Sequence, residues 1–279
     1  MSGKLYLCGT PIGNLEDITY RVLSTLNRVD VIYAEDTRHS IRLLNHFNIS
    51  KPLHSYHEHN QEVAGQEILM KLNKGDNIAL VTDAGMPGIS DPGEALVKLC
   101  IQNDISFEIV PGVTAFSMAL VGSGFDTSRF VFEGFLSRDK RQKKALLEKI
   151  KYENRTLIFY ESPHRLKETL KIMKDIFGNR NIAIARELTK KYETFYRDSI
   201  EHLIDFFSPM EIKGELVIIV EGSKESEPTI PSYEENETIK EHVNRLINTG
   251  LDKKEALKKV ATDRKMKKSD VYAAMIEEA

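Results

Sequence analysis

The sequence predicts an α/β protein made of two α/β halves with a cleft between them and a small unit of three helices appended, and three observations carry that expectation. Short apolar or β-branched runs alternate with helical patterns as far as residue 220, glycine- and proline-rich loops follow several of those runs, and from residue 221 the composition turns polar before three amphipathic stretches. The runs at 5–8, 29–33, 78–82, 107–110, 130–135, 156–160, 182–185 and 215–220 read as strands. Between them, Ile68, Leu69 and Leu72 share one helical face, as do Leu96, Val97, Cys100 and Ile101, so both segments are expected to pack on a sheet. The stretch Val121-Gly-Ser-Gly124 precedes the second set of strands. It places an N-terminal domain at 1–115 and a C-terminal α/β domain at 116–222.

The run from Gly222 to Pro231 is polar and broken by prolines, which predicts an exposed linker over 223–236. Beyond it, over 237–279, Ile239, Val243, Leu246 and Ile247 mark one amphipathic helix. Ala256, Leu257, Val260 and Ala261 mark a second, and Val271, Tyr272, Met275 and Ile276 a third. Gly250 and Lys267-Lys-Ser-Asp270 supply the turns, with Ser269 as the expected N-cap of the last helix. The unit reads as helix-turn-helix-like, or as a bundle that only packs on the body.

Hydrophobic residues make up 41% of the 279 and charged residues 29%, which excludes a mainly disordered chain. No stretch has the length or apolarity of a membrane span, and the apolar run ending at Cys8 is too short for a signal sequence, so a cytoplasmic location is expected. Cys8 and Cys100 stand alone and read as small buried hydrophobes in a reducing compartment. The net charge of −3 conceals segregation: seven basic residues against two acidic over 138–151, and eight against four over 251–270. Such segments suit a polyanion such as nucleic acid, and equally suit solvated helix faces.

Three glycine/proline loops follow predicted strands of the first half: Thr10-Pro-Ile-Gly-Asn14, Asp83-Ala-Gly-Met-Pro-Gly-Ile-Ser-Asp-Pro-Gly93 and Pro111-Gly-Val-Thr-Ala115. If the strands are parallel, the loops crowd one sheet edge, where open α/β sheets bind small molecules. The first matches neither the dinucleotide fingerprint nor the P-loop pattern, so neither ligand follows from it. Ala34-Glu-Asp-Thr-Arg38 sets carboxylates beside an arginine at another strand end, either as a salt-linked cap or to orient a hydroxyl or grip a phosphate. His54, His57 and His59 lie close in sequence, but solvated loop histidines or contacts to a polyanion are preferred to metal, and no metal is expected. Phe159-Tyr-Glu-Ser-Pro-His-Arg165 and Ala185-Arg-Glu-Leu-Thr-Lys190 carry mixed charge after predicted strands, which forms either interface ion pairs or a charged wall of the cleft.

Together, these motifs resemble the tetrapyrrole-methylase superfamily in order and spacing from residue 4 to about 222, and within it the branch that methylates 16S ribosomal RNA. The resemblance implies S-adenosylmethionine bound between two α/β domains of a homodimer, and 2′-O-ribose methylation of a cytidine in the decoding region of the small ribosomal subunit. Carried over by position, it assigns cofactor contacts to Ile12, Asp83, Ala84, Gly85, Gly88, Thr114, Ala115, Tyr160 and Leu188. Tetrapyrrole-modifying members have Gly-Gly-Asp-Pro where this chain has Asp83-Ala-Gly-Met86, which argues against a porphyrin substrate.

Methylating a ribose hydroxyl requires alignment, a dry cleft and a proton acceptor. Asp36, His59, Glu161 and Glu187 are the candidate acceptors, with Asp36 or Glu161 preferred, while Arg38, His164, Arg165, Arg186 and Lys190 are the candidate RNA-phosphate ligands. Two rival readings are a small-molecule methyltransferase of the same fold and a non-enzymatic nucleic-acid-binding regulator.

Overall fold

The computed structural model describes residues 2–226 and 237–277. The chain divides into two compact units, Met1–Glu225 and Ser226–Ala279. Most of the expected linker at 223–236 lies outside the described residues.

The first unit begins with β1 (Leu5–Cys8), α1 (Tyr20–Arg28), β2 (Val31–Ala34), α2 (Thr37–His46), β3 (Leu53–Ser55), α3 (Gln61–Lys74), β4 (Ile78–Val81), α4 (Glu94–Gln102) and β5 (Phe107–Val110). The five strands form one sheet in the order β3-β2-β4-β1-β5, and every pairing is parallel. β1, β2 and β4 are buried along their whole length, as continuous apolar strands between two helical layers must be. Alternate side chains feed two cores: Leu5, Leu7, Ile78 and Leu80 meet Ile68, Leu72 and Leu96 on one face, while Tyr6, Cys8, Ala79 and Val81 meet Val22 and Leu26 on the other. Because the strands are parallel, the loops that follow β1, β2, β4 and β5 all leave from the same edge.

The chain then runs through α5 (Ala115–Ser123), β6 (Phe130–Phe135), α6 (Lys140–Lys149), β7 (Thr156–Glu161), α7 (Leu166–Phe177), β8 (Asn181–Arg186), β9 (Thr194–Ser199), α8 (Ile200–Phe207) and β10 (Leu216–Val220). The second sheet has the order β6-β7-β10-β8-β9, with β6 and β7 parallel and the remaining pairs antiparallel. On one face Ala119 and Leu120 of α5 pack on Ile158, Ala183, Val217 and Ile219, and Ile12 from the loop after β1 joins them. On the other, Leu170, Met173, Leu203 and Phe207 pack on Leu157, Phe159 and Ile184.

Two strands differ from the sequence reading. β3 has only three residues, and β9 is an edge strand without a fully buried residue, so neither presents the apolar run by which strands are recognised. Val29, expected at the start of a strand, instead caps α1.

The second unit consists of α9 (Ile239–Asn248), α10 (Lys253–Asp263) and α11 (Lys268–Glu277) around Val243, Leu246, Leu257, Val260 and Val271. Thr238 and Glu241 form a reciprocal capping box on α9, and Asp252 caps α10. Ser269 is not an N-cap: it lies inside α11, whose first turn closes on the Lys267 carbonyl. Lys253, Lys254, Lys258 and Lys259 are exposed on α10, the solvated face that charge runs ordinarily occupy. No helix among the described residues is long and apolar enough to cross a membrane.

Candidate active site

The loops after β1, β2, β4 and β5 meet the second sheet around a cavity of about 420 Å³, within the range of small-molecule sites. Its wall on the side of the first sheet is mostly shaped backbone. Thr10 and Gly85 exchange hydrogen bonds, Thr10 N–H to Gly85 at 2.8 Å and Gly85 N–H to Thr10 at 3.1 Å, which ties the first loop to the second. Gly85 has φ +91°, a region that side-chain-bearing residues rarely adopt, and so the turn requires glycine. The third loop sits close by: a Cβ added to Gly9 would lie 2.7 Å from the Gly112 Cα. Opposite, Tyr160, Ala185, Leu188, Leu216 and Val217 supply an apolar and aromatic wall from β7, β8, β10 and the loop after β8.

The charged lining is one-sided. Glu35, Asp83, Asp91, Glu161 and Glu215 all line the cavity, and among the described residues no lysine, arginine or histidine does. Burial raises the Asp83 carboxyl above its ordinary range, against the effect of the Asp36 N–H that one of its oxygens accepts at 3.2 Å. Burial, reinforced by the Glu35 and Asp83 charges, pushes Asp91 up to about 6. Glu35 accepts the Thr82 hydroxyl at 2.7 Å. Across the cavity, burial lifts the Tyr160 phenol to about 12, and the Asp91 charge adds to that shift.

Of the nine residues assigned to the cofactor from sequence, Ile12, Asp83, Ala84, Gly85, Thr114, Ala115, Tyr160 and Leu188 line this cavity, while Gly88 sits outside the lining in the turn at φ +84°. The two preferred acceptors are placed differently. Asp36 caps α2 and is outside the lining; the Arg38 side chain, 2.7 Å away, and its N–H hold the carboxyl down to about 2.

Glu161 reaches the lining but is only 2% exposed. One oxygen meets Arg165 at 2.6 Å and accepts the Ser162 N–H, and the other accepts the Thr169 hydroxyl at 2.6 Å. That hydroxyl in turn accepts from Lys143, itself 1% exposed. Glu161 is therefore the anion that balances the half-buried Arg165 and, through Thr169, the buried Lys143, so its two oxygens are already engaged. Glu187 is tied to Lys190 at 3.0 Å and to the Glu215 N–H, and His59 lies in the loop before α3, outside the cavity lining.

The proposed phosphate ligands also separate. Arg38 and His164 are exposed. Arg165 engages all three guanidinium nitrogens, on Ser162, the Leu136 carbonyl and Glu161, which leaves two of its five N–H groups for any other partner. Lys190 bridges Glu187 and Glu215, and Arg186 donates to the Lys213 carbonyl. Lys143, counted in the basic segment at 138–151, is internal, while Arg138, Lys140, Arg141 and Lys144 stay exposed. His54 stacks on Tyr33 at 5.4 Å, and His57 and His59 lie with ring centroids 6.0 Å apart. Among the described residues no three His, Cys, Asp or Glu side chains converge as a metal site would require.

Sequence reasoning missed Glu35 as a lining residue, and it gave Asp91, within the second loop, no assigned role. The signal for Glu35 was parity: it is the first residue past β2, and successive side chains of an extended chain alternate sides, so Glu35 and Asp36 diverge.

This arrangement of two sheets and a loop-built cavity recurs in known proteins. Residues 4–204 match the family of Tetrapyrrole (Corrin/Porphyrin) Methylases, and the chain belongs to that family. Within it, the chain is similar to proteins named Ribosomal RNA small subunit methyltransferase I: 50% identical to that of Bacillus subtilis over 98% of this chain and 94% of the relative. It is 49% identical to that of Halalkalibacterium halodurans, over 97% and 93%. Among solved structures, uroporphyrin-III-C-methyltransferase of Thermus thermophilus superposes with a TM-score of 0.55 at 20% identity, covering 78% of this chain and 94% of that one, a likeness of fold.

Proposed function

We propose that the protein transfers a methyl group from S-adenosylmethionine to the 2′-hydroxyl of a cytidine in 16S ribosomal RNA of the small subunit, acting in the cytoplasm as a homodimer. The observation that carries this reading is the cavity lining, anionic and apolar with no cationic side chain among the described residues. Bound there, the cofactor would supply an electrophilic methyl on a sulfonium; its positive charges suit the carboxylates and its adenine suits the apolar wall. The names of the 49–50% identical relatives support ribosomal RNA as the substrate.

In this reading Gly85, Thr10 and the Gly9–Gly112 contact fix the backbone that holds the cofactor, and Ile12, Ala115, Leu188 and Val217 exclude water around it. RNA phosphates stay outside the anionic lining. Arg38, His164 and the exposed cations of α6 are the groups proposed to hold them there. The test is to incubate the protein with labelled S-adenosylmethionine and small subunits that lack the modification, then map the product by nuclease digestion and mass spectrometry. Label on a cytidine 2′-oxygen is expected; label on a base, or none on RNA, overturns the assignment.

A further inference from the structure

Resting on that reading, we infer that Asp91 is the catalytic proton acceptor, taking the 2′-hydroxyl proton, with Glu35 coupled to it through Thr82. The other acidic candidates are committed elsewhere: Asp36 to Arg38 and the start of α2, Glu161 to Arg165 and Thr169, and Glu187 and Glu215 to Lys190. Asp83 lines the cavity with one oxygen already holding the Asp36 N–H. Asp91 also lines it, and among the described residues no cation is paired with it.

Its surroundings are acidic and hydroxylic. Glu35 and Asp83 face it from the loops after β2 and β4, Thr82 is within hydrogen-bond reach, and Tyr160 stands across the cavity on β7. The Thr82 hydroxyl has one proton, directed at Glu35 over 2.7 Å, so the pair of carboxylates shares a single donor. Burial and the Glu35 and Asp83 charges, against the lowering effect of Thr82, bring Asp91 to about 6, near the pH at which a proton acceptor works efficiently.

The electrostatics give the residue a sense of timing. A sulfonium in the cavity favours the ionised carboxylate, so Asp91 is charged when the substrate is bound. In the transfer, the ribose oxygen forms its bond to the methyl carbon as the carbon–sulfur bond breaks, the bonding electrons leave on sulfur as a neutral thioether, and the hydroxyl proton passes to Asp91. Loss of the sulfonium charge raises the basicity of Asp91 at the moment a proton must be accepted. Release of that proton to solvent restores the site.

The experiment compares wild type, Asp91→Asn and Glu35→Gln. Calorimetric titration of S-adenosylmethionine at pH 6, in buffers of different ionisation enthalpy, is expected to show proton release from the wild type and none from Asp91→Asn. Glu35→Gln removes a neighbouring charge and is expected to shrink the release at that pH. Single-turnover methylation of small subunits is expected to fall by about 100-fold or more in Asp91→Asn, in line with loss of a general base. Cofactor affinity should change far less. Wild-type proton release retained in Asp91→Asn, or methylation at the wild-type rate, overturns Asp91 as the acceptor. A wild-type protein that binds the cofactor and leaves ribose unmethylated overturns the functional reading itself.

Discussion

The two sheets that wall the cavity treat charge in opposite ways. On the side of the first sheet, Glu35, Asp83 and Asp91 face the cavity with hydroxyl or backbone partners and no cation paired with them among the described residues. On the side of the second, charges of the same kind are neutralised within the protein: Glu161 by Arg165 and, through Thr169, Lys143, and Glu187 and Glu215 by Lys190. A buried charge deprived of its partner destabilises a fold strongly, whereas an unpaired carboxylate in a cavity stays available to a ligand. The contrast assigns chemistry to the first sheet and support to the second, and it explains why similar strand-end motifs have different consequences.

Substitutions can break that contrast directly. The largest effect is expected from Glu161→Ala, which leaves the half-buried Arg165 and the buried Lys143 without their anion; urea unfolding should show a loss of about 3–5 kcal/mol. Asp91→Asn should leave stability at neutral pH undiminished while the reaction slows. Similar losses of stability from the two substitutions would erase the distinction.

Next comes Gly9→Ala, in which a new Cβ 2.7 Å from the Gly112 Cα would force the first and third loops apart. If overpacking of about 1–3 kcal/mol at that contact falls wholly on the cofactor-binding geometry, S-adenosylmethionine affinity drops by about 5- to 150-fold, measurable by calorimetry.

A smaller effect concerns pH. Because the folded protein holds Asp91 at about 6, above its ordinary value of 3.8, ionisation opposes folding: the penalty is absent below the lower value and fully present above the higher. Asp91→Asn should therefore be more stable than wild type at pH 7, and the advantage should fade as pH falls from about 6 towards 4, as followed by denaturant midpoints. An advantage that does not vary with pH would place its origin elsewhere.

The smallest change in the fold, and one specific to RNA, is expected from joint replacement of Lys140, Arg141 and Lys144 by alanine on the exposed face of α6. Subunit affinity should fall and its dependence on salt should flatten, with stability altered by less than about 1 kcal/mol.

Much of the fold was legible because strands buried on both faces must be apolar runs, and β1, β4 and β10 announce themselves that way. β9 did not, because an edge strand has no fully apolar face to bury. The cavity was legible where backbone builds it: the glycine and proline pattern located the loops at Thr10, Asp83–Gly93 and Pro111 before any side chain was placed. Side-chain commitments were not legible. Nothing in Glu161-Ser-Pro-His-Arg165 reveals that Thr169 and Lys143, on two different helices, close around the glutamate, nor does Glu35-Asp36 reveal which carboxylate caps α2 and which enters the cavity. Such assignments depend on elements far apart in the chain.

The central claim, that the carboxylates of the first sheet are the proton-active ones, is tested most directly by following the Asp91 carboxyl through a carbon-13 NMR titration, with Asp91→Asn identifying its resonance. A midpoint near 6 is expected in the free protein, moving lower when S-adenosylmethionine is bound. A midpoint of about 4 in both states, as for an ordinary aspartate, would contradict it.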